Sequence, residues 1–239
     1  MEYWNGFKKI DFTFEGRKAI LVFPDDSNKT EQWLFKTEYW DAFPNLEIEM
    51  VKQGWHLAFI ENKTRWCLDE DLEIKKRFAD FLTKEYGLRK KCVPVGMSCG
   101  GMFAVKFAAK YPEYISALYI DAPVLNLLSC PSALGISRAN MWDEFHEATG
   151  ISMSELICSR EHPMDKLPIL IQNDIPVVMV YGKDDTVVPY CENGAILEKY
   201  YNEYGGKLLA IGKDGCNHHP HGLENPQPIV DFIIHTVNG

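Results

Sequence analysis

The sequence has no run approaching the roughly 18 unbroken apolar residues of a membrane-spanning helix, so no membrane partner is expected. Its start, Met1-Glu2-Tyr3-Trp4-Asn5-Gly6, carries an acid and polar residues where a secretory leader would place basic residues and an apolar core. A cytoplasmic location follows as an expectation. Cysteine spacings of the metal or redox kind are missing too. The seven cysteines are odd in number, scattered and without a C-x-x-C pair, which fits reduced thiols better than a disulfide framework. Each, including Cys99, is read as a small buried apolar residue. Basic charge is scarce: 25 Lys and Arg against 34 Asp and Glu give a net charge of −9, a field that repels phosphate backbones. Nucleic acid is thereby excluded as an expected partner. Internal repeats, low-complexity tracts and Pro/Gly/Ser linkers are absent, and the 239 residues are read as one domain.

What is present is an alternation of two patterns. Short apolar runs bounded by polar or turn residues occur at Ala19 to Pro24, His56 to Ile60, Cys92 to Met97, Ala117 to Asp121, Val177 to Gly182 and Leu208 to Ile211. Several are rich in Val and Ile, as strands buried on both faces should be. Helical patterns lie between them at Leu68 to Tyr86, Cys99 to Lys110, Glu192 to Tyr204 and Pro226 to Val237, the last opening on prolines tolerated in a first turn. Alternating strands and helices predict an α/β fold with a mostly parallel sheet covered on both faces. Lys8 to Glu15 alternates more loosely and is expected to start the sheet as an antiparallel edge.

Two stretches break the rhythm. Residues 25–45 are polar and Trp-containing; residues 126–168 follow a central strand and carry amphipathic pieces around Trp142 to Ala148 and Met153 to Cys158. Ligands bind outside the carboxyl ends of parallel strands, so both stretches are expected to wall a site, the second as a small lid.

The chemistry centres on Gly96-Met97-Ser98-Cys99-Gly100, preceded by a predicted strand and followed by a predicted helix. That context makes a Gly-x-Ser-x-Gly a nucleophile elbow, in which the serine sits on a tight, strained turn with its hydroxyl exposed. The Cys99 backbone N–H, at a helix N-terminus, would then face a developing oxyanion. A serine nucleophile needs a base and an orienting carboxylate, which in this arrangement follow it in the order acid, then His. Asp185 comes just after the Val177 to Gly182 strand; Asp184 and Asp121 are its rivals. The base is sought in Asn217-His218-His219-Pro220-His221, where three of the seven histidines fall. His218 and His221 are the candidates. A metal reading of these two is set aside, because no cysteine or acidic constellation completes a zinc spacing. No metal and no cofactor are expected.

These residues resemble the α/β-hydrolase superfamily: Gly-x-Ser-x-Gly, then Gly182-x-x-Asp185-x-x-x-Pro189, then a His-containing last loop, spanning most of the chain. Gly96-Met97-Ser98-Cys99-Gly100-Gly101, Tyr119-Ile120-Asp121-Ala122-Pro123-Val124 and His218-His219-Pro220-His221-Gly222-Leu223 are similar to a bacterial, esterase-like and prolyl-oligopeptidase-like branch. The resemblance implies Ser98 as nucleophile, Asp185 as acid and His218 as base, with His221 in the substrate site. Asn217 stands where the superfamily commonly has glycine, and Phe23-Pro24-Asp25-Asp26 where it commonly has His-Gly. The second oxyanion donor is therefore sought near Trp33 and Leu34, with Leu34 as the donor and Trp33 facing substrate. The implied substrate is a small-molecule carboxylic ester, with an acetylated or hydroxycinnamoylated sugar as first choice. Trp33, Trp40, Trp66 and Trp142 are available to stack on it. A peptidase, a thioesterase and a non-catalytic receptor on the same fold are the alternatives.

Overall fold

In the computed structural model, which describes residues 2–238, nine strands join in one sheet. They are β1 (Glu2–Trp4), β2 (Phe7–Phe14), β3 (Arg17–Val22), β4 (Trp33–Lys36), β5 (His56–Ile60), β6 (Val93–Met97), β7 (Leu118–Asp121), β8 (Val177–Gly182) and β9 (Leu208–Lys213). Their order across the sheet is β1-β2-β3-β5-β4-β6-β7-β8-β9. The pairings from β1 to β5 are antiparallel, and from β5 through β4 to β9 every pair is parallel.

Eight α-helices accompany the sheet among the described residues: α1 (Asn45–Lys52), α2 (Asp69–Tyr86), α3 (Cys99–Lys110), α4 (Trp142–Thr149), α5 (Met153–Cys158), α6 (Leu167–Gln172), α7 (Gly194–Tyr204) and α8 (Gln227–Asn238). The period-2 alternation of strands divides the apolar residues between two cores. Leu118, Ile120, Val177 and Met179 meet α2, α3, α6 and α7 on one face. Tyr119, Val178 and Val180 meet Leu46 and Met50 of α1 and Ile229 and Ile233 of α8 on the other. Both faces being covered, the central strands read as continuous apolar runs, and the predicted α/β architecture follows from that. None of these helices is long and apolar enough to cross a membrane.

Three placements differ from expectation. The segment Lys8 to Glu15 is antiparallel, as β2, but β1 lies outside it and forms the edge. Within 25–45, read as a loop, β4 runs at the heart of the sheet between β5 and β6. Trp33 and Leu34 are fully buried there: Leu34 lies between Leu57 and Val93 in the parallel ladders, and the Trp33 indole N–H donates to the Arg89 carbonyl at 2.8 Å. Of the cysteines, all free, Cys67, Cys92, Cys99 and Cys130 are buried as expected, whereas Cys158 and Cys191 are exposed and Cys216 is half-buried.

Candidate active site

No loop separates β6, ending at Met97, from α3, starting at Cys99, so Ser98 makes the whole turn. It does so at φ 54°, ψ −119°. A non-glycine residue held there costs on the order of 1–3 kcal/mol, which surrounding bonds must offset. The Ser98 N–H donates to the Asp121 carbonyl at 2.9 Å, and its own carbonyl accepts from Gly101 at 2.9 Å and Val124 at 3.0 Å. The turn is so tight that a Cβ on Gly96 would stand 2.2 Å from the Gly100 carbonyl oxygen.

Asp185 follows β8 by three residues, and its carboxylate is fully engaged although buried. One oxygen accepts the backbone N–H groups of Val187 and Val188, both at 2.8 Å; the other meets His218 Nδ1 at 2.8 Å. His218 Nε2 then lies 3.1 Å from Ser98 Oγ. The rival Asp184 is exposed and makes no such contact; its backbone N–H donates to the Cys216 carbonyl.

The His loop is tied to the turn of Asp185 by Asn217, the residue that departs from the usual glycine. Asn217 Oδ1 accepts from both the His218 N–H at 2.8 Å and the Thr186 N–H at 3.1 Å. The two segments touch so closely that a Cβ on Gly182 would lie 2.2 Å from the Asn217 carbonyl oxygen and 2.4 Å from that of Cys216.

The other rival acid and rival base pair with each other. His221 Nδ1 meets Asp121 Oδ1 at 2.7 Å, and Asp121 Oδ2 accepts from the Gly222 N–H at 2.6 Å and the Tyr119 hydroxyl at 3.3 Å. His221 therefore contacts neither Ser98 nor Asp185; its ring stands edge-on to His218 with centroids 4.8 Å apart. His219, exposed, completes a group whose ligand-capable atoms lie within 4.8 Å of one another. Burial and the two neighbouring imidazoles hold His219 below the usual histidine pKa.

Above Ser98 is a cavity of about 370 Å³, walled by Tyr39, Phe43, Arg65, Cys130 and Met141 among others, with His221 on its lining. Arg65 reaches it with its charge held by a two-pronged ion pair to Glu144 of α4, which raises its pKa further. Burial pushes the Cys99 thiol up to about 11 and the Cys130 thiol up to about 12, so both stay protonated at neutral pH. The Cys99 backbone N–H opens α3 beside Ser98, where helix N–H groups have no intrahelical partner.

Trp33 and Leu34 are not at this cavity. The site lies at the carboxyl ends of the parallel strands, whereas Trp33 opens β4 at the amino end of that central strand. Trp40, Trp66 and Trp142 do not line it either: Trp66 is buried with its indole N–H on Glu144, and Trp142 stacks on His146. Tyr39 and Phe43 lie in the first irregular stretch and Cys130 and Met141 in the second, so the sequence marked these wall segments without singling out their residues. For Arg65, five residues after β5, the only signal in the sequence is its place beyond the carboxyl end of a parallel strand.

No protein-family model and no curated protein matches the sequence. Solved structures do match, at low identity. An acylaminoacyl peptidase from Pyrococcus horikoshii superposes with a TM-score of 0.71 at 12% identity, covering 95% of this chain and 40% of that one. A puromycin hydrolase S511A mutant, complexed with PGG, gives 0.69 at 15% identity, over 95% of this chain and 37% of that one. A truncated carbohydrate esterase from gut microbiota gives 0.69 at 12% identity, over 97% of both chains. This chain thus spans about two-fifths of the peptidases' length and nearly all of the esterase's. The chain has the α/β-hydrolase fold.

Proposed function

We propose that the chain is a serine hydrolase that cleaves a carboxylic ester through a Ser98 acyl-enzyme. The observation that carries this reading is the continuous chain from Asp185 through His218 to Ser98, at 2.8 and 3.1 Å, ending on a serine held at an unfavourable backbone angle. In this mechanism His218 Nε2 takes the Ser98 proton as Oγ attacks the ester carbonyl carbon. The tetrahedral oxyanion collapses, and the leaving alcohol departs with the proton from His218. Water then attacks the acyl-enzyme, giving its proton to His218; the second tetrahedral oxyanion collapses, Ser98 Oγ leaves with that proton from His218, and the acid product is released. Asp185 accepts from His218 Nδ1–H throughout, fixing that tautomer.

The Cys99 N–H serves as one oxyanion donor, a contribution typically of about 3 kcal/mol. The second comes from the backbone after β4 rather than from Leu34, because residues 37–38 pass directly against Gly100 in the first turn of α3. Tyr39, Phe43, Cys130, Met141 and Val187 offer a largely apolar pocket for the acyl group. Seven free thiols suit a reducing, cytoplasmic setting.

A carbohydrate-linked acetyl or hydroxycinnamoyl ester is the preferred substrate, since a carbohydrate esterase is among the neighbours and is matched over 97% of its own length. The peptidase neighbours, matched over two-fifths of their length, favour a second reading in which the same residues cleave an aminoacyl amide. A panel of p-nitrophenyl esters, acetylated sugars and aminoacyl p-nitroanilides separates them. The ester reading expects kcat/KM on acetyl esters to exceed that on anilides by about 100-fold or more. Faster anilide cleavage would overturn it in favour of the peptidase.

A further inference from the structure

The loop that supplies His218 holds more imidazole than one base requires. His218, His219 and His221 place their ligand-capable atoms within 4.8 Å of one another. We propose that these three side chains form a site for a borderline divalent cation such as Zn²⁺ or Cu²⁺, and that filling it switches hydrolysis off by drawing His218 away from Ser98. Cation binding stands on its own; its inhibitory consequence rests on the hydrolase reading.

The chemistry of the donors selects the ion. Neutral imidazole nitrogens favour Zn²⁺ and Cu²⁺, whereas Mg²⁺ and Ca²⁺ demand oxygen. Two of the three rings already have the second partner that zinc-bound histidines commonly have, a carboxylate on the far nitrogen. Asp185 holds Nδ1 of His218 at 2.8 Å, and Asp121 holds Nδ1 of His221 at 2.7 Å. Each pairing makes Nδ1 the donor and leaves the lone pair on Nε2, which in His218 faces Ser98 Oγ. Asp121 is itself fixed by the Gly222 N–H, so the His221 tautomer is set by the fold.

Geometry and access agree. A tetrahedral zinc with nitrogens at about 2.0–2.1 Å needs nitrogen-to-nitrogen spacings of about 3.4 Å. The ligand-capable nitrogens lie within 4.8 Å of one another, so the group must draw together to reach that spacing. Exposed His219, whose ring stacks on Phe43, can move toward the two buried rings by side-chain rotation. Its exposure also gives the ion an entry path and leaves a coordination position for water. Two carboxylates directly behind the rings, on a chain of net charge −9, favour a cation here.

The site is antagonistic to catalysis because His218 has no spare nitrogen. Nδ1 is on Asp185, and Nε2, the only atom left for the metal, is the one facing Ser98 Oγ at 3.1 Å. A metal on Nε2 removes the proton acceptor without altering any covalent bond.

The test is calorimetric titration of the full chain with zinc chloride, paired with p-nitrophenyl acetate hydrolysis in the same zinc series. The proposal expects one ion bound per chain in the micromolar range or tighter, and inhibition that EDTA reverses. His219→Ala, at an exposed position, is expected to weaken binding by about tenfold or more and to raise the half-inhibiting zinc concentration by a similar factor, relative to its own metal-free rate. Asp121→Asn is expected to weaken binding in the same direction. Equal zinc affinity in wild type and His219→Ala, or no binding in the micromolar range, overturns the proposal. A chain that binds zinc as described but hydrolyses no ester overturns the hydrolase reading and leaves the cation site standing.

Discussion

Replacing Gly182 by alanine adds a single methyl group where β8 and the His loop meet, and that methyl has nowhere to go. Its carbon would lie 2.2 Å from the Asn217 carbonyl oxygen and 2.4 Å from that of Cys216. Close carbon–oxygen contacts in proteins begin at about 3.3 Å, so the loop must retreat by about 1 Å. Both obstacles are backbone atoms, which cannot rotate aside. The displaced carbonyl belongs to the residue just before His218, whose contacts at 2.8 and 3.1 Å would open past hydrogen-bonding length. A misplacement of about 1 Å in a catalytic group costs about 100-fold, and overpacking costs about 1–3 kcal/mol of stability. Gly182→Ala should therefore lose about 100-fold in kcat/KM on p-nitrophenyl acetate with a Tm a few degrees lower. Gly215→Ala is the control on the same loop. Gly215 has φ +65° but no neighbour within 4 Å of an added Cβ, so alanine there costs about 1–2 kcal/mol of backbone strain and leaves kcat/KM within a few-fold. If Gly182→Ala kept wild-type kcat/KM, or the two variants lost activity equally, the steric argument would be wrong.

Asp185→Asn should lower kcat by about 10⁴-fold with the fold retained, whereas Asp184→Asn should stay within a few-fold of wild type; steady-state kinetics on one ester decides between the two acids. Lys36 and Glu47 form a buried ion pair at 2.5 Å, so Lys36→Met strands a buried carboxylate and should cost about 3–5 kcal/mol in urea unfolding. Lys36→Met combined with Glu47→Leu should recover most of that, and a single variant as stable as wild type would contradict it. Burial pushes Lys75 down to about 8 from 10.5, so between those pH values the unfolded chain holds more protons and stability rises with pH. Below about 8 the penalty is fully present: Lys75→Met should gain about 1–3 kcal/mol at pH 7 and lose the rise toward pH 10, and a less stable variant at pH 7 would refute this.

The sheet was readable from the sequence wherever a strand packs helices on both faces. Val177 to Gly182 and His56 to Ile60 are bounded as the apolar runs predict, and Cys99 to Lys110 is likewise the helix expected. β4 was not readable, because it has four residues and ends on Lys36, a charge that only a tertiary partner, Glu47, makes tolerable in the core. The same blindness misassigned Trp33, since an aromatic in a polar stretch looks the same whether it packs a core or faces a ligand. Chain order offered Asp185 or Asp121 and His218 or His221, without saying how they combine. The fold couples each acid to one histidine, and only His218 also reaches Ser98. Arg65 and Glu144 meet from segments 79 residues apart, a pairing no local pattern announces.

Covalent labelling shows whether Ser98 is an activated nucleophile. The chain is treated with a fluorophosphonate and the adduct located by peptide mass spectrometry, in wild type, Ser98→Ala and His218→Ala. An activated Ser98 gives one adduct, on Ser98, absent from Ser98→Ala and strongly slowed in His218→Ala, with loss of p-nitrophenyl acetate hydrolysis in parallel. An unlabelled wild type, an adduct on another residue, or labelling of Ser98 undiminished in His218→Ala would contradict it.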